Sequence, residues 1–367
     1  MQLSQSVPLA ALAADRYHAL AMTNPSQPAP NAGTYRQMAF NRLGRSGLKV
    51  SDIGLGTWKF GYPEQGDGAR ADEKTSLAIL DKAAELGVVF WDTADRYNAG
   101  TGNSERIIGT WLAANPNERT NIVLATKCRV IMNGTTPNHE GLSRRHIIEA
   151  VHHSLRRFRQ EHIDLLQFHS PDPECPPEES IRAVDDLIRR GLVQYWGVSN
   201  FDVAQLTEYQ RVADHYLCCR LICVQNYCNV LDKERPSQVG VIEFCAANGV
   251  GYVPYSPLAK GLASARYVDL DRVGPGDRLY DDGNLAKVRT DKALRVVKAL
   301  ADIAEERGKT IAQIALAWLL STPGVATVIP SCSTPQQLVE NAAASGVRLT
   351  TDEMQQIEQA RRGGPAE

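Results

Sequence analysis

The chain has 367 residues, 43% hydrophobic and 22% charged, which allows a sizeable core as either two average domains or one large barrel. A formal net charge of −2 excludes a general pull toward nucleic acid or anionic membrane. No apolar run approaches the roughly 18 residues needed to cross a bilayer, so no membrane insertion is expected.

Residues 1–35 read as a flexible tail, since Asn24–Gly33 is rich in proline and Asp15 and Arg16 interrupt the apolar patch before it. The fold is expected over residues 36–367. From Met38 onward, short apolar runs alternate with helical patterns. Eight strand candidates follow: Ile53–Gly56, Val88–Asp92, Ile122–Lys127, Asp164–His169, Val193–Ser199, Leu221–Gln225, Gly251–Tyr255 and Ala326–Pro330. Several are almost wholly apolar, as strands covered on both faces must be. Helices are expected over Asp72–Leu86, Ser104–Ala114, Arg144–Arg159, Pro177–Arg190, Asp202–Asp214 and Gln238–Asn248. Ser143, Asn200 and Ser237 are candidate caps, and Gly87, Gly191 and Gly249 candidate ends. Two further helical patterns, Asp291–Arg307 and Thr310–Leu320, lie before the last strand, so one is an insertion. Eight β-then-α units point to a closed parallel barrel, with an open doubly wound sheet as the alternative.

Long loops are expected at Cys128–Leu142 and Leu262–Lys287, after the third and seventh strands. The eight cysteines, Cys128, Cys175, Cys218, Cys219, Cys223, Cys228, Cys245 and Cys332, contain no C-x-x-C pair. Buried structural thiols, a reducing cytoplasmic setting and no metal are therefore expected. The basic run Arg156–Arg159 and the pair Arg189–Arg190 read as solvated helix ends rather than anion sites.

Four reactive side chains fall at or just after strand ends: Asp92, Tyr97, Lys127 and His169. In a parallel barrel these ends share one rim, so the four can converge. A buried lysine needs a partner, and Asp92 supplies one. An ammonium beside a phenol favours the phenolate, which would lower the Tyr97 pKa from about 10 and make it a proton donor and acceptor. His169 would orient a substrate oxygen. Taken one at a time, each of these residues has an ordinary structural role as well.

The segments Gly54–Trp58, Trp91–Tyr97, Gly102–Glu105, Ala125–Lys127 and Ile163–His169 resemble the aldo-keto reductases, as do Trp196–Phe201, Tyr255–Leu258 and Gln337–Asn341. The likeness runs from about Arg36 to about Ala344 and keeps the family's motif order. It implies a (β/α)8 TIM-type barrel with an N-terminal β-hairpin and extra helices, and a catalytic tetrad of Asp92, Tyr97, Lys127 and His169. It also implies that Ser199, Asn200 and Gln225 hold a nicotinamide amide and that Tyr255 stacks on the ring. Gly56, Thr57, Trp58, Ser256, Pro257, Leu258 and Gly261 would line the rest of the cofactor's path. Ser331, Ser333, Gln337, Glu340 and Asn341 would meet its adenosine end. No G-x-G-x-x-G fingerprint follows a strand, so this is not the Rossmann solution.

Family habit favours NADP(H), gripped by an Arg after the eighth strand. Here that position holds Ser333, which favours NAD(H). The balance falls to NADP(H), with NAD(H) the alternative. The implied function is an oxidoreductase moving hydride between NAD(P)H and an aldehyde, ketone or sugar carbonyl, with Tyr97 as general acid/base. Trp58, Phe60, Tyr62 and Arg129 would shape the substrate pocket, with Arg266, Arg272 and Arg278 leaving an anionic substrate open. Two alternatives are a cofactor-binding regulatory subunit and an NAD-dependent sugar dehydrogenase. The first rests on Gly141–Ile147 and Tyr195–Gly197, which resemble the potassium-channel β-subunit branch. An oligomer stays open.

Overall fold

The computed structural model describes residues 33–363 apart from 133, 270 and 272. Most of the expected tail and Arg272 therefore lie outside the described residues. The chain is a (β/α)8 barrel. Leu55–Gly56, Phe90–Asp92, Val123–Cys128, Ile163–Phe168, Val193–Ser199, Cys223–Asn229 and Gly251–Tyr255 pair in that order, all parallel. The eighth position is filled by extended chain rather than a regular strand. Val325 bridges Tyr252 on one side, while Val328 and Ser331 bridge Ile53 and Gly56 on the other, which closes the ring.

Helices return the chain between strands, and their ends follow local chemistry. Asp72 caps Glu73–Leu86 by accepting from the Thr75 amide, and Gly87 stops that helix in the left-handed region. Ser143 caps Arg144–Phe158 as expected. The helix Val203–His215 starts from Asp202, which forms a capping box with Gln205, so the expected cap at Asn200 is corrected. Ser237 is likewise not a cap: a short 3-10 turn, Pro236–Gln238, precedes Val241–Asn248, and Gly240 stands at the helix start. The Leu262–Lys287 stretch is not bare loop, because it carries helical turns at Ala265–Tyr267, Arg278–Asp281 and Leu285–Val288.

An antiparallel sheet of Thr34–Tyr35, Met38–Arg42 and Lys49–Ser51 precedes the barrel. Its connection plugs the end at which the barrel strands begin. Leu43 and Val50 join Phe90, Ala125, Leu165, Cys223 and Val253 in one buried cluster, the floor of the barrel interior. Gly44 is needed there, since its φ is +62° and a Cβ would stand 2.7 Å from backbone atoms of Gly249, Gly251 and Ile222.

Alternation along the strands then places the chemistry. Residues two apart share a face, so each floor residue is followed by an inward-facing polar one nearer the strand end. Phe90 leads to Asp92, Ala125 to Lys127, Leu165 to Gln167, and Cys223 to Gln225. The parallel register sets Lys127 opposite Gln167 but Asp92 opposite Ala125, so the polar layer is staggered around the ring, as the tilt of barrel strands requires. Outward residues pack on the helices, as where the Trp91 and Trp111 rings meet edge-on at 4.9 Å.

Two expectations about polar surface are corrected. Arg157 is not solvated: it is 5% exposed and ion-paired with Glu105, which also accepts from Thr126 Oγ1 at 2.6 Å. The cysteines are free, but Cys218 is only partly buried and Cys219 is exposed, so not all are core thiols. Among the described residues, no helix is long and apolar enough to cross a membrane.

His146, on the Arg144–Phe158 helix, is 2% exposed and its Nε2 has no hydrogen-bond partner. Burial lowers its pKa to about 4. The unfolded chain binds a proton near pH 6.5 that the folded chain refuses, so stability is lost as pH falls from there toward 4. His146→Gln is expected to lose roughly 1–2 kcal/mol less than the wild type between pH 7 and 5. Urea titrations at the two pH values measure this, and an unchanged difference defeats it.

Candidate active site

Above the polar layer lies a cavity of about 1020 Å³, at the upper end of the range for small-molecule sites. Asp92, Tyr97 and His169 line it, and Lys127 stands just beneath. Lys127 Nζ donates to Asp92 Oδ2 at 2.6 Å, to the Thr93 carbonyl at 2.8 Å and to the Tyr97 hydroxyl at 3.1 Å. With Lys127 and Asp92 1% and 2% exposed, this is a buried ion pair whose other valences are satisfied. The other Asp92 oxygen accepts from Gln225 Nε2 at 2.7 Å and Gln167 Nε2 at 3.0 Å.

Electrostatics correct one expectation. Burial raises the Tyr97 phenol above its ordinary value, and the Lys127 ammonium only partly reverses this. Tyr97 is thus held protonated through neutral pH, a proton donor first. Burial alone would lower the Lys127 ammonium, but Asp92 and Tyr97 outweigh it and hold the charge. Burial, and then Lys127 and Arg96, push His169 well below the usual imidazole range, so the ring is neutral. Its ring and that of Tyr97 meet in a T-shaped arrangement, 6.0 Å between centroids.

Tyr97 stands on a turn after the second barrel strand rather than on the strand itself. Asn98, left-handed at φ 63°, pins that turn by accepting from the Tyr62 amide at 3.0 Å and donating to its carbonyl at 3.1 Å. Gly61 is required opposite, because a Cβ there would stand 2.4 Å from Asn98 Oδ1.

The residues expected to hold a cofactor gather along the same cavity. Gly56, Thr57, Trp58, Ser199, Asn200, Gln225 and Tyr255 line one part, and Ser256, Pro257, Leu258 and Gly261 continue it. Ser331, Ser333, Gln337, Glu340 and Asn341 line the far part. Asn200, also left-handed at φ 64°, donates to the His169 carbonyl at 2.9 Å and accepts from the Tyr255 hydroxyl at 2.8 Å. Gln225 has its amide nitrogen spent on Asp92, which leaves an acceptor oxygen for a carboxamide. Gly56 lets the closing segment pack against the first barrel strand, since a Cβ would stand 2.8 Å from Ser331 Oγ and the Ile329 carbonyl. Ser333 bonds Gln337 Oε1 through its amide at 2.9 Å and its hydroxyl at 3.2 Å. These donors, one flat aromatic and a long cationic cleft suit a nicotinamide dinucleotide.

The expected substrate set is only partly assembled. Trp58 lines the cavity, but Phe60 is fully buried in the core beneath it. Tyr62 turns aside to bond Glu73 at 3.3 Å, and Arg129 is not among the lining residues. Neither lines the cavity: the first loop folds back on Asn98, and Arg129 directly follows the third strand. In their place Lys59, Arg70, Arg96, Tyr227, Arg235 and Tyr267 line the cavity. Sequence reading also missed Gln167, although its position two before His169 on a strand marks the same inward face.

A family model described as Aldo/keto reductase family matches residues 52–362. An Arabidopsis thaliana protein, "Probable voltage-gated potassium channel subunit beta", is 34% identical over 334 residues, covering 89% of this chain and 98% of that protein. "Versiconal hemiacetal acetate reductase" of Aspergillus parasiticus is 33% identical over 343 residues, 88% of this chain and 96% of that protein. A Schizosaccharomyces pombe "Putative voltage-gated potassium channel subunit beta" is 33% identical over 314 residues, 84% and 88% of the two chains. With nearly the whole barrel matched, the chain belongs to the aldo/keto reductase family.

Proposed function

We propose that the protein is a nicotinamide-dependent carbonyl oxidoreductase in which Tyr97 moves the proton. The observation that carries this reading is the hydrogen-bonded line from Tyr97 through Lys127 to Asp92 on the floor of the cavity. A bound NAD(P)H supplies the hydride. Asn200 and Gln225 would hold its carboxamide, and Tyr255 would pack against its ring. The neutral His169 imidazole and the Tyr97 hydroxyl bind the carbonyl oxygen. As charge develops on that oxygen, Tyr97 gives up its proton, and the Lys127 ammonium stabilises the phenolate left behind. Asp92 keeps Lys127 charged and aimed. Oxidation of an alcohol runs the same proton in reverse.

Substrate is an aldehyde, ketone or sugar carbonyl, with Trp58 and the Leu262–Lys287 stretch bounding it. The reductase reading is tested by following NADPH oxidation with small aldehydes; no turnover with any carbonyl defeats it. The relatives named as potassium-channel β subunits favour a second reading, a cofactor-binding regulator. A single slow turnover with trapped cofactor would select that alternative.

NADP(H) is the expected cofactor, with NAD(H) the competitor because Ser333 lacks a guanidinium. Ser333→Arg is expected to tighten NADPH relative to NADH by about tenfold, the worth of one charge-assisted pair. Side-by-side dissociation constants check this. An unchanged ratio places the adenosine phosphate elsewhere.

A further inference from the structure

One arginine stands beside the reacting groups with no acid to answer it. After the sixth barrel strand, Cys223–Asn229, the chain turns back into a short hairpin arm, Lys233–Glu234. The antiparallel register sets Lys233 opposite Asn229 and Glu234 opposite Cys228, so Arg235 comes opposite Tyr227. Tyr227 lies two residues past Gln225, on the strand face that lines the cavity. Pro236 follows and keeps Arg235 extended, at φ −65° and ψ 151°. The guanidinium carbon then lies over two rings, 4.9 Å from the Tyr227 centroid and 5.7 Å from that of Tyr255. Tyr255 is itself tied to the reacting centre. Its hydroxyl donates to Asn200 Oδ1 at 2.8 Å, and Asn200 Nδ2 donates to the His169 carbonyl at 2.9 Å.

The charges next to it in the chain are engaged elsewhere. Asp232 accepts from the Tyr227 hydroxyl at 2.6 Å, and Glu234 accepts from the Gly240 and Ile242 amides at 3.1 and 2.9 Å. Lys233 pairs with Glu243 at 3.2 Å. Among the described residues, no carboxylate lies within ion-pair distance of Arg235. The other arginines of the cavity differ. Arg70 meets Asp281 at 2.9 Å, Arg96 meets Asp67 at 3.5 Å, Arg278 meets Asp282 at 3.6 Å, and Arg266 meets Asp277. Ring contacts thus hold the Arg235 guanidinium in place while leaving its charge unneutralised.

An unneutralised guanidinium in a substrate cavity suits a planar anion, which it can grip through parallel hydrogen bonds. We infer that the substrate of this site is a carbonyl compound bearing a carboxylate, and that Arg235 receives that carboxylate. The inference rests on the reductase reading above, with the carbonyl oxygen at Tyr97 and His169 and the acid end directed toward the Tyr227 wall. A contact remote from the reacting carbon also orients the carbonyl, so the acid group should act on kcat/KM. A neutral aldehyde of the same shape forgoes that contact. The competing source of an anion is the dinucleotide's own phosphates, and a cofactor titration separates the two.

The test uses the full chain, NADPH, and 3- and 4-carboxybenzaldehyde, each set against the matching neutral formylbenzamide. Wild type is expected to reduce at least one acid with kcat/KM about tenfold or more above its amide, the worth of one charge-assisted pair. Arg235→Gln should bring that ratio down to about one. Arg235→Lys, which keeps the charge but not the fork, should hold part of it. A residue that merely props Tyr255 would slow acid and amide alike and leave the ratio where it was. Dissociation constants for NADPH should agree among the three proteins. A loss in Arg235→Gln as large as the loss for the acid would assign the anion to the cofactor and overturn the inference. Calorimetric titration of the same aldehydes into the NADP+ complex reads recognition without turnover. If the acids bind in an Arg235-dependent way but no carbonyl is reduced, the reductase reading falls and the carboxylate site stands. If neither acid outperforms its amide in wild type, or the preference survives Arg235→Gln, the inference is overturned, and turnover of the amides keeps the reductase reading.

Discussion

Tyr97→Phe is expected to cut the rate of carbonyl reduction by roughly 10²–10⁴-fold, the usual worth of a positioned general acid. Binding of the dinucleotide should hardly change. The substitution removes a single oxygen, and the ring that remains still fills the space beside His169, 6.0 Å away. Lys127 loses one hydrogen bond of three and keeps Asp92 and the Thr93 carbonyl, so the buried ion pair survives. Single-turnover NADPH oxidation and a fluorescence titration of the cofactor separate the two quantities. Wild-type turnover in the variant would remove Tyr97 from the chemistry. A large loss of cofactor affinity would mean that the hydroxyl organises the mouth rather than donating a proton.

The convergence of Asp92, Tyr97, Lys127 and His169 was legible in the sequence because three of the four fall at or beside strand ends. Strand ends in a parallel barrel share a rim, and period-two alternation then decides which residues face inward. Asp92, Lys127 and His169 satisfy both conditions from sequence alone. Tyr97 does not, since it stands on a turn whose course depends on Asn98 reaching across to Tyr62, 36 positions away. Such a contact leaves no local trace. Phe60, Tyr62 and Arg129 show the cost of that limit, because proximity to a strand end says little about where a loop side chain points. Arg157 shows another: its basic neighbours suggested solvent, yet its partner Glu105 lies on a separate helix 52 residues earlier. The direction of the Tyr97 shift was hidden for a collective reason. The neighbouring ammonium can be read from a motif, but the desolvation that outweighs it is a property of every atom around the ring.

Lys127→Met is expected to damage stability and catalysis together, and the two losses can be pulled apart. Asp92 would be left 2% exposed with only neutral amide donors, and stranding one partner of a buried pair costs about 3–5 kcal/mol. Reduction should also collapse, because no charge remains to stabilise the Tyr97 phenolate. Adding Asp92→Asn removes the stranded carboxylate, so the double variant should recover most of the lost stability in chemical denaturation. It should recover none of the activity, since the ammonium is still missing. A double variant as unstable as Lys127→Met alone would mean that Lys127 supports the barrel by packing. Activity returning along with stability would mean that the ion pair holds the architecture while the proton moves by another route.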